Sequence, residues 1–555
     1  MKRLISLILV CVIATCALMA CSCNNSSKDT ISAEEQLKLA KTTPLGKYPE
    51  TISYTLGKQI SVNNSNMPEG DTYENNAYTR YLLEKLNIKN INAFEAMDEE
   101  YDTEVSMAVS MEDIPDIMVV NNYEDLVDLV EKGLVADLTD SYEKCASDTI
   151  KDIYESYGSE LLDGVTFGGK IMAIPETNIA EGPNLVWLRK DWMDKLGLQP
   201  PKNIADVEYI IARFLEADKN RVGLVTCVSL CGESGYSSQY LTDLIFASHG
   251  AYPKHWIKNE QGEIVYGSIQ PEAKEALVHL RKMYNNGILD RNFLFRSTHD
   301  IIELIEEGRC GSFFGPWWTP NNPLMSAMLK SEEADWQPYL IETNEDGNTY
   351  YHSTNPTSYK YVVVSKDFEY PELAWKIISV LFDHARYEDK KGAVEIEKYD
   401  KNAVDPTARP LVINVDYRNA LERCYNNIKA VFDGKKDIDD LNELEKSYTE
   451  QCMKYVENGE EATIEQWAAY TSRMSACSLI SKKSVVEVKA MFFDDTETME
   501  KLWWRLKELE SETYLQIITG KLNIDAFDDF VKEWKQNGGE TIAEEIRKEL
   551  KNKEK

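Results

Sequence analysis

A short apolar run in the middle of the chain ends abruptly in Gly and Pro, within residues 308–324 (GRCGSFFGPWWTPNNPL). Pro lacks a backbone donor and Gly weakens strand pairing, so a buried strand must stop there. The pattern therefore predicts that Trp317 and Trp318 lie on a loop at a strand end. Neighbouring side chains of an extended chain point to opposite faces, which favours at least one ring outside the core. An indole joins a flat apolar face to a polar N–H and suits stacking on a sugar ring; the alternative is that both rings fill the core.

Length and charge limit the classes of protein that this chain can belong to. Its 555 residues exceed what one hydrophobic core supports, so we expect two or more lobes. The formal net charge of −33 argues against nucleic acid as a partner, because phosphates require fields of Lys and Arg. Acidic residues are spread along the whole chain, and we interpret them as a source of solubility.

The N-terminus is typical of an exported lipoprotein. Residues 1–20 begin with a positively charged triplet and continue as an apolar stretch that suits a signal peptide and is short for a membrane span. They end before Cys21 in the motif LMAC, which resembles a bacterial lipobox and predicts lipidation of Cys21. Cys16 and Cys23 are alternative lipid acceptors, and an uncleaved membrane anchor is an alternative reading of the segment. Residues 21–47 are expected to form a polar tether.

Cysteine usage does not indicate a disulfide framework. After removal of the signal peptide, eight cysteines would remain in addition to the lipidated one, and they lack close, repeated spacing. An exported protein usually pairs its thiols or omits them. We therefore predict mostly buried free thiols. The eight are Cys23, Cys145, Cys227, Cys231, Cys310, Cys424, Cys452 and Cys477.

Periodicity predicts an α/β fold in the first half of the chain. Residues 48–62 alternate apolar and polar positions like a strand, residues 101–111 have helical character, 114–120 resemble a short buried strand, and 123–131 form an amphipathic pattern. Alternating strands and helices predict a mainly parallel sheet with flanking helices. From residue 417 onward, helical patterns dominate.

Several segments together resemble a known family. In order, they are GGKIMAIP, NLVWLRKDW, LGLQPPKN, GRCGSFFGPWW and the tail ITGKLNIDAFDDFVKEWKQNGG. They resemble the extracellular solute-binding proteins of ABC importers, in the sugar-binding cluster that includes maltose-binding protein, and the tail resembles the long lipoprotein branch of Gram-positive bacteria. The resemblance covers residues 48–539. It implies a two-lobed α/β periplasmic-binding-protein-like fold (type II) with hinge strands and a helical C-terminal extension.

The resemblance also implies where the lobes lie. We expect an N-terminal lobe of residues 48–175 plus 315–357, and a C-terminal lobe of residues 176–314 plus 358–555 that includes the helical extension. The chain is then expected to cross between lobes near 175–185, 314–316 and 351–361.

Ligand in this family lies between the lobes, beyond the carboxyl ends of strands. The resemblance gives Trp317 the role of a stacking aromatic, with Trp318 as the alternative. For Glu176, Thr177 and Asn178 the alternative is a hinge turn, and for Tyr236 it is packing at a helix start. The further candidates chosen by position are Glu176, Thr177, Asn178, Tyr236, Tyr351, His352, Asn63 and Asn64.

The sequence offers no catalytic motif. Neither HExxH nor GxSxG occurs, and residues 218–223 carry only part of a calcium-loop pattern. We therefore predict no enzyme activity, no cofactor and no metal. The expected function is a monomeric, lipid-anchored protein on the extracellular face of the membrane, which binds an oligosaccharide and delivers it to ABC permease subunits. The alternatives are a surface glycan hydrolase, a peptide-binding protein, and a binding protein that serves a sensor kinase.

Overall fold

The computed structural model describes residues 32–61, 67–232, 239–331, 333–352, 358–402, 404–493 and 495–553. Among these residues, no helix combines the length and the apolar character needed to cross a membrane. The strands are β1 Ile52–Ile60, β2 Ile88–Met97, β3 Ile117–Val120, β4 Thr166–Phe167, β5 Lys170–Ile171, β6 Ile174–Pro175, β7 Leu185–Arg189, β8 Trp256–Lys258, β9 Ile264–Tyr266, β10 Ser312–Gly315, β11 Trp336–Tyr339, β12 Thr349–His352, β13 Tyr361–Val364, β14 Val485–Val488 and β15 Ala490–Phe492.

The helices of the first half of the chain are short and alternate with strands. They are α1 Ala33–Thr42, α2 Ala77–Leu86, α3 Asp98–Met111, α4 Tyr123–Glu131, α5 Thr139–Cys145, α6 Asp148–Glu155, α7 Glu160–Asp163, α8 Lys190–Lys195, α9 Ile204–Ala217, α10 Asp243–Ala247 and α11 Pro271–Asn286.

The second half is mostly helical; beyond residue 417, where helix was predicted, β14 and β15 interrupt the helices. Its helices are α12 Thr298–Glu306, α13 Met325–Lys330, α14 Leu373–Ser379, α15 Val394–Lys401, α16 Ala420–Phe432, α17 Glu443–Asn458, α18 Ile464–Tyr470, α19 Cys477–Ile480, α20 Glu497–Ile518, α21 Ala526–Trp534 and α22 Glu540–Lys553.

The first lobe is built on a five-stranded sheet in the order β2-β1-β3-β13-β6. β1 pairs in parallel with β2 and β3, and β13 runs antiparallel to β3 and β6. All four residues of β3 are buried because helices cover both faces of the central strands, as is usual for parallel sheets. The alternating pattern at residues 48–62 and the amphipathic pattern at 123–131 thus correspond to β1 and to α4.

The second lobe has smaller sheets and more helix. β7 lies between β10 and β11 in one three-stranded sheet, and β8 lies between β15 and β9 in another. Two large apolar clusters support these sheets. One joins β8 and β9 to α9, α11 and α20–α22, and the other joins β7 and β10 to α12, α16 and α18. The C-terminal helices are therefore part of the cores of the second lobe, not a separate appendage.

The lobe boundaries differ from those expected. Residues 315–352 belong to the second lobe, because β11 pairs with β7 and β12 pairs with β14. Residues 361–415 belong to the first lobe, because β13 is inserted between β3 and β6 and the chain up to Val415 contributes to the first core. The expected assignment of 315–352 to the N-terminal lobe, and of 358–415 to the C-terminal lobe, was therefore wrong, and residues 353–357 of that assignment lie outside the described residues.

The second half of the expected tether, residues 32–47, is folded. Ser32 caps α1 by accepting a hydrogen bond from the Glu35 N–H at 3.1 Å, and Ala40 is fully buried in the first core. The Lys376 ammonium donates to the carbonyl oxygens of Thr43 at 2.6 Å and Gly46 at 2.9 Å. Polarity alone suggested a linker, but one apolar face and a buried lysine hold this segment on the lobe.

Seven of the eight cysteines lie in the described residues, and all seven are free thiols. Six of them are buried, and Cys227 is partly exposed. This agrees with the prediction of buried free thiols. Cys23 lies outside the described residues, as does Cys21.

Candidate ligand-binding region between the lobes

The carboxyl ends of the parallel strands in the first lobe lie at the edge from which the chain leaves for the second lobe. Ile60 of β1 is opposite Met97 of β2, so these two strands end together. Tyr361, the first residue of β13, is paired with both Val120 and Pro175, the last residues of β3 and β6. Open α/β sheets bind ligands beyond this edge.

Three connectors join the lobes. Connector 1 is residues 176–184, connector 2 is residues 353–360, of which 358–360 are described, and connector 3 is residues 414–419. The expected crossing at 314–316 is wrong, because β10 and β11 both belong to the second lobe. Connector 3 was missed by the sequence analysis. It follows an irregular stretch that has no strand pattern.

The connectors are hydrogen-bonded to one another. The Glu176 N–H donates to the Lys360 carbonyl at 2.8 Å, which ties connector 1 to connector 2. The N–H groups of Thr177 and Ala180 donate to the carbonyls of Asn414 and Arg418, each at 2.8 Å, which ties connector 1 to connector 3. Backbone pairing of this kind makes the connectors a single hinge unit.

The side chains of Glu176 and Thr177 serve this hinge. Both are buried. The Glu176 carboxylate accepts from the Asn414 N–H at 3.4 Å, and the Thr177 hydroxyl accepts from the Asp416 N–H at 2.8 Å. Burial raises the pKa of Glu176, while the nearby Lys360 ammonium opposes the rise. Of the two alternatives for these residues, the hinge turn describes their contacts.

The Gly-Pro-Trp-Trp corner lies beside connector 1. Gly315, the last residue of β10, pairs with Leu185, the first residue after the connector. The corner therefore faces the same space as the connector. Trp317 is only 8% exposed and packs into the cluster around β7, with the Arg473 guanidinium 4.4 Å from its ring centroid. Its indole N–H is buried, and none of the described residues accepts a hydrogen bond from it. Trp317 fills the core.

Trp318 has a different environment. Its ring is partly exposed and packs on the outside of the same cluster, next to connector 1. The indole N–H of Trp318 lies close enough to the Glu181 carboxylate in connector 1 to favour its charged form. Burial raises the pKa of Glu181, and the Trp318 donor partly opposes that rise. A partly exposed indole beside a carboxylate at a strand end can stack on a ring and accept from a hydroxyl group.

Tyr351 and His352 lie at the end of β12, where connector 2 begins. Tyr351 is partly exposed, and burial together with the charge of Glu487 raises its pKa. His352 is buried, with its ring centroid 4.3 Å from that of His255 and its Nε2 atom 3.9 Å from Asp243 Oδ1. Burial lowers the pKa of His352 well below its usual value. Tyr351 faces the connectors, whereas His352 belongs to a buried polar cluster of the second lobe.

The remaining candidates are distributed as follows. Asn178 is partly exposed in connector 1 and takes part in polar contacts. Tyr236, Asn63 and Asn64 lie outside the described residues.

Sequence reasoning missed two groups beside the connectors. Glu181 follows Asn178 closely, and its place in connector 1 could have drawn attention to it. Arg418 of connector 3 forms an ion pair with Glu487 of β14, which links a connector to a strand far away in sequence. No local pattern indicates that pair. In the described part of the chain, no group of three or more His, Cys, Asp or Glu side chains is arranged to hold a metal ion.

The sequence of this chain is similar in part to two carbohydrate-binding proteins. No protein-family profile matches the chain. Over 157 residues it is 26% identical to the polygalacturonan/rhamnogalacturonan-binding protein YtcQ of Bacillus subtilis, covering 27% of this chain and 30% of that protein. Over 141 residues it is 23% identical to the fructooligosaccharide ABC transporter substrate-binding protein FusA of Streptococcus pneumoniae, covering 25% and 26%. The matches thus span less than a third of either relative.

The similarity in structure extends much further than that in sequence. An extracellular solute-binding protein from Bifidobacterium longum subsp. infantis superimposes with a TM-score of 0.60 at 13% identity, over 91% of this chain and 99% of the other. The fold is therefore the two-lobed α/β fold of solute-binding proteins, as predicted. The predicted resemblance to sugar-binding substrate-binding proteins of ABC transporters is also confirmed, in fold over nearly the whole chain and in sequence over about a quarter of it.

Proposed function

We propose that this protein captures an oligosaccharide between its lobes and delivers it to an ABC permease on the outer face of the membrane, to which Cys21 anchors it through a lipid. The observation that carries the proposal is the partly exposed Trp318 beside Glu181, at the edge where the connectors join two lobes of a solute-binding fold. The names of the two relatives, one a polygalacturonan/rhamnogalacturonan-binding protein and the other a fructooligosaccharide ABC transporter substrate-binding protein, support a carbohydrate ligand.

Binding in this proposal is coupled to lobe closure. A ligand that contacts both lobes stabilises the closed arrangement by its differential affinity for it, and the hinge of three connectors allows that motion. Trp318 supplies a face for a sugar ring, and Glu181 accepts hydrogen bonds from hydroxyl groups. Glu176 and Thr177 act in the hinge and not on the sugar.

The proposal is tested by a thermal-shift screen against monosaccharides, fructooligosaccharides and oligogalacturonides, followed by calorimetry on each compound that raises the unfolding temperature. We expect at least one oligosaccharide to bind more tightly than its monosaccharide, because a cleft between lobes contacts several rings. If no carbohydrate shifts the transition, the proposal fails. Overnight incubation of each bound sugar with the protein should return the sugar intact, and the release of shorter products would support the hydrolase alternative instead.

A further inference from the structure

A second cavity, distant in sequence from the Gly-Pro-Trp-Trp corner, lies where the N-terminus of α17 approaches the first lobe. Its volume is about 250 Å³, the space of roughly eight liquid waters, which suits a small organic molecule. The lining residues are Tyr78, Leu381, Phe382, Ala385, Arg386, Lys390, Ala393, Ile396, Glu397, Val404, Pro406, Arg409, Asn442, Glu443 and Leu444.

The walls of this cavity come from both lobes. Phe382 and Val404 belong to the core of the first lobe. Helix α17 packs through Cys452 against Cys424 and Ile428 of α16, which belongs to the second lobe. The Lys390 ammonium joins the two walls by donating to the carbonyls of Asp439 and Leu441, each at 2.6 Å. An occupant would therefore contact both lobes.

The cavity combines an apolar floor with a positively charged rim. Leu381, Phe382 and Ala385 are at least nine-tenths buried and form the floor. The guanidinium of Arg409 lies 5.4 Å from the Phe382 ring centroid, and that of Arg386 lies 5.5 Å from it. Three basic residues line the cavity against two acidic ones. This local excess of positive charge stands against a chain of 94 acidic and 61 basic side chains.

Arg409 is the basic group most available to a ligand. Arg386 forms an ion pair with Asp416 at 3.4 Å, and the Lys390 ammonium donates hydrogen bonds to backbone carbonyl oxygens. The Arg409 side chain has ring contacts with Tyr78 and Phe382, and among the described residues it forms no ion pair. A guanidinium without an ion-pair partner keeps N–H groups that can bind a carboxylate in bidentate fashion. The 16-residue helix α17 also directs its positive N-terminal end toward the cavity.

We propose that this pocket binds a small amphipathic monoanion, an aromatic or alicyclic carboxylate, with its ring on the Phe382 floor and its carboxylate at Arg409. This site is separate from the proposed sugar site, and it does not depend on the protein binding sugar. The chemistry follows from an apolar floor, a rim guanidinium that has no ion-pair partner in the described part of the chain, and a volume of about 250 Å³.

The test uses 4-fluorobenzoate as the probe, with 4-fluorobenzyl alcohol as its neutral counterpart, and fluorine NMR line broadening as the readout. We expect the wild-type protein to bind the carboxylate with Kd of about 1 mM or tighter, because a ligand of about ten heavy atoms supports affinities of that order. The alcohol and the Arg409→Gln variant should each show binding weaker by about fivefold or more. Arg423→Gln is the matched control, since Arg423 also lies on an aromatic ring, that of Tyr417, but outside the pocket.

A second variant guards against a folding defect in Arg409→Gln. Leu444 is 56% exposed at the mouth of the pocket, so Leu444→Glu should fold normally and weaken carboxylate binding by repulsion, by about threefold. Circular dichroism and urea titration establish folding for each variant. The proposal is overturned if the wild type does not bind the carboxylate at about 20 mM, if the alcohol binds equally well, or if both folded variants bind the carboxylate as the wild type does.

Discussion

The hinge residues Glu176 and Thr177 lie in connector 1, and the corner residues Trp317 and Trp318 follow a strand that pairs with β7 directly after this connector, yet the two pairs use their polar groups differently. The hinge side chains accept hydrogen bonds from backbone groups of the other connectors. At the corner, Trp317 is sealed in the core, and Trp318 keeps a partly exposed face. A residue near the space between the lobes is therefore not necessarily a ligand contact. It can contact a ligand only if its polar groups or its ring face are not already bonded to or packed against the rest of the protein.

Replacing Trp317 with Ala should give the largest effect. Removing a buried indole leaves a cavity, and the free energy of unfolding should fall by about 3–5 kcal/mol in urea titration. Trp504→Ala is the control, because that ring is 62% exposed and its loss should change stability by about 0.5 kcal/mol or less. If Trp317→Ala keeps full stability and loses sugar binding, the ring contacts the ligand and is not a core residue.

Replacing Glu176 with Ala should destabilise the hinge by about 1–3 kcal/mol, because it removes the buried carboxylate that accepts a hydrogen bond from the Asn414 N–H of connector 3. Glu176→Gln keeps one acceptor oxygen and should cost less. Urea titration measures both. A Glu176→Ala protein of unchanged stability with sugar affinity reduced tenfold would instead assign Glu176 to the ligand.

Replacing Trp318 with Ala should weaken sugar binding about tenfold, or about 1.4 kcal/mol, in calorimetry with whichever sugar the screen identifies. Its unfolding free energy should change by less than about 1 kcal/mol, because the ring is only partly buried. Trp318→Phe should recover part of the affinity by restoring a stacking face. Unchanged affinity in Trp318→Ala would remove the corner from the site.

The smallest effect concerns the pH dependence contributed by Glu181. Because burial raises its folded pKa above that of the free side chain, the folded state binds this proton more tightly, and the stabilisation is lost as pH rises through the folded pKa. Glu181→Gln should therefore gain stability relative to wild type between pH 4 and pH 7. Urea titrations at several pH values test this. Parallel pH profiles for the two proteins would contradict the assigned environment of Glu181.

Local sequence patterns were enough to predict the class of fold. The amphipathic pattern at 123–131 and the buried run that contains β3 depend on neighbouring residues, which a linear sequence displays directly. The lobe boundaries depended on pairing between distant strands. β13 is inserted between β3 and β6, and β12 pairs with β14. Neither pairing can be predicted from the amino-acid composition of the strands themselves.

The roles at the corner were decided by distant residues as well. Trp317 and Trp318 are equivalent in local sequence, but Arg473, between α18 and α19, covers the first ring, and connector 1 borders the second. From the sequence, either tryptophan was a candidate for the stacking residue. For Glu176 the hinge turn was an alternative to a ligand contact, and the backbone partners of that side chain lie in two connectors that no local motif joins.

The buried free thiols can be used to measure local unfolding in each lobe. Cys145 is packed in the first lobe, and Cys310, Cys424, Cys452 and Cys477 are packed in the second. A thiol reagent reaches a buried sulfur only when the surrounding structure opens, so the alkylation rate at each position measures the stability of that neighbourhood. Mass spectrometry of alkylated peptides can therefore follow the two halves independently, with no engineered probe.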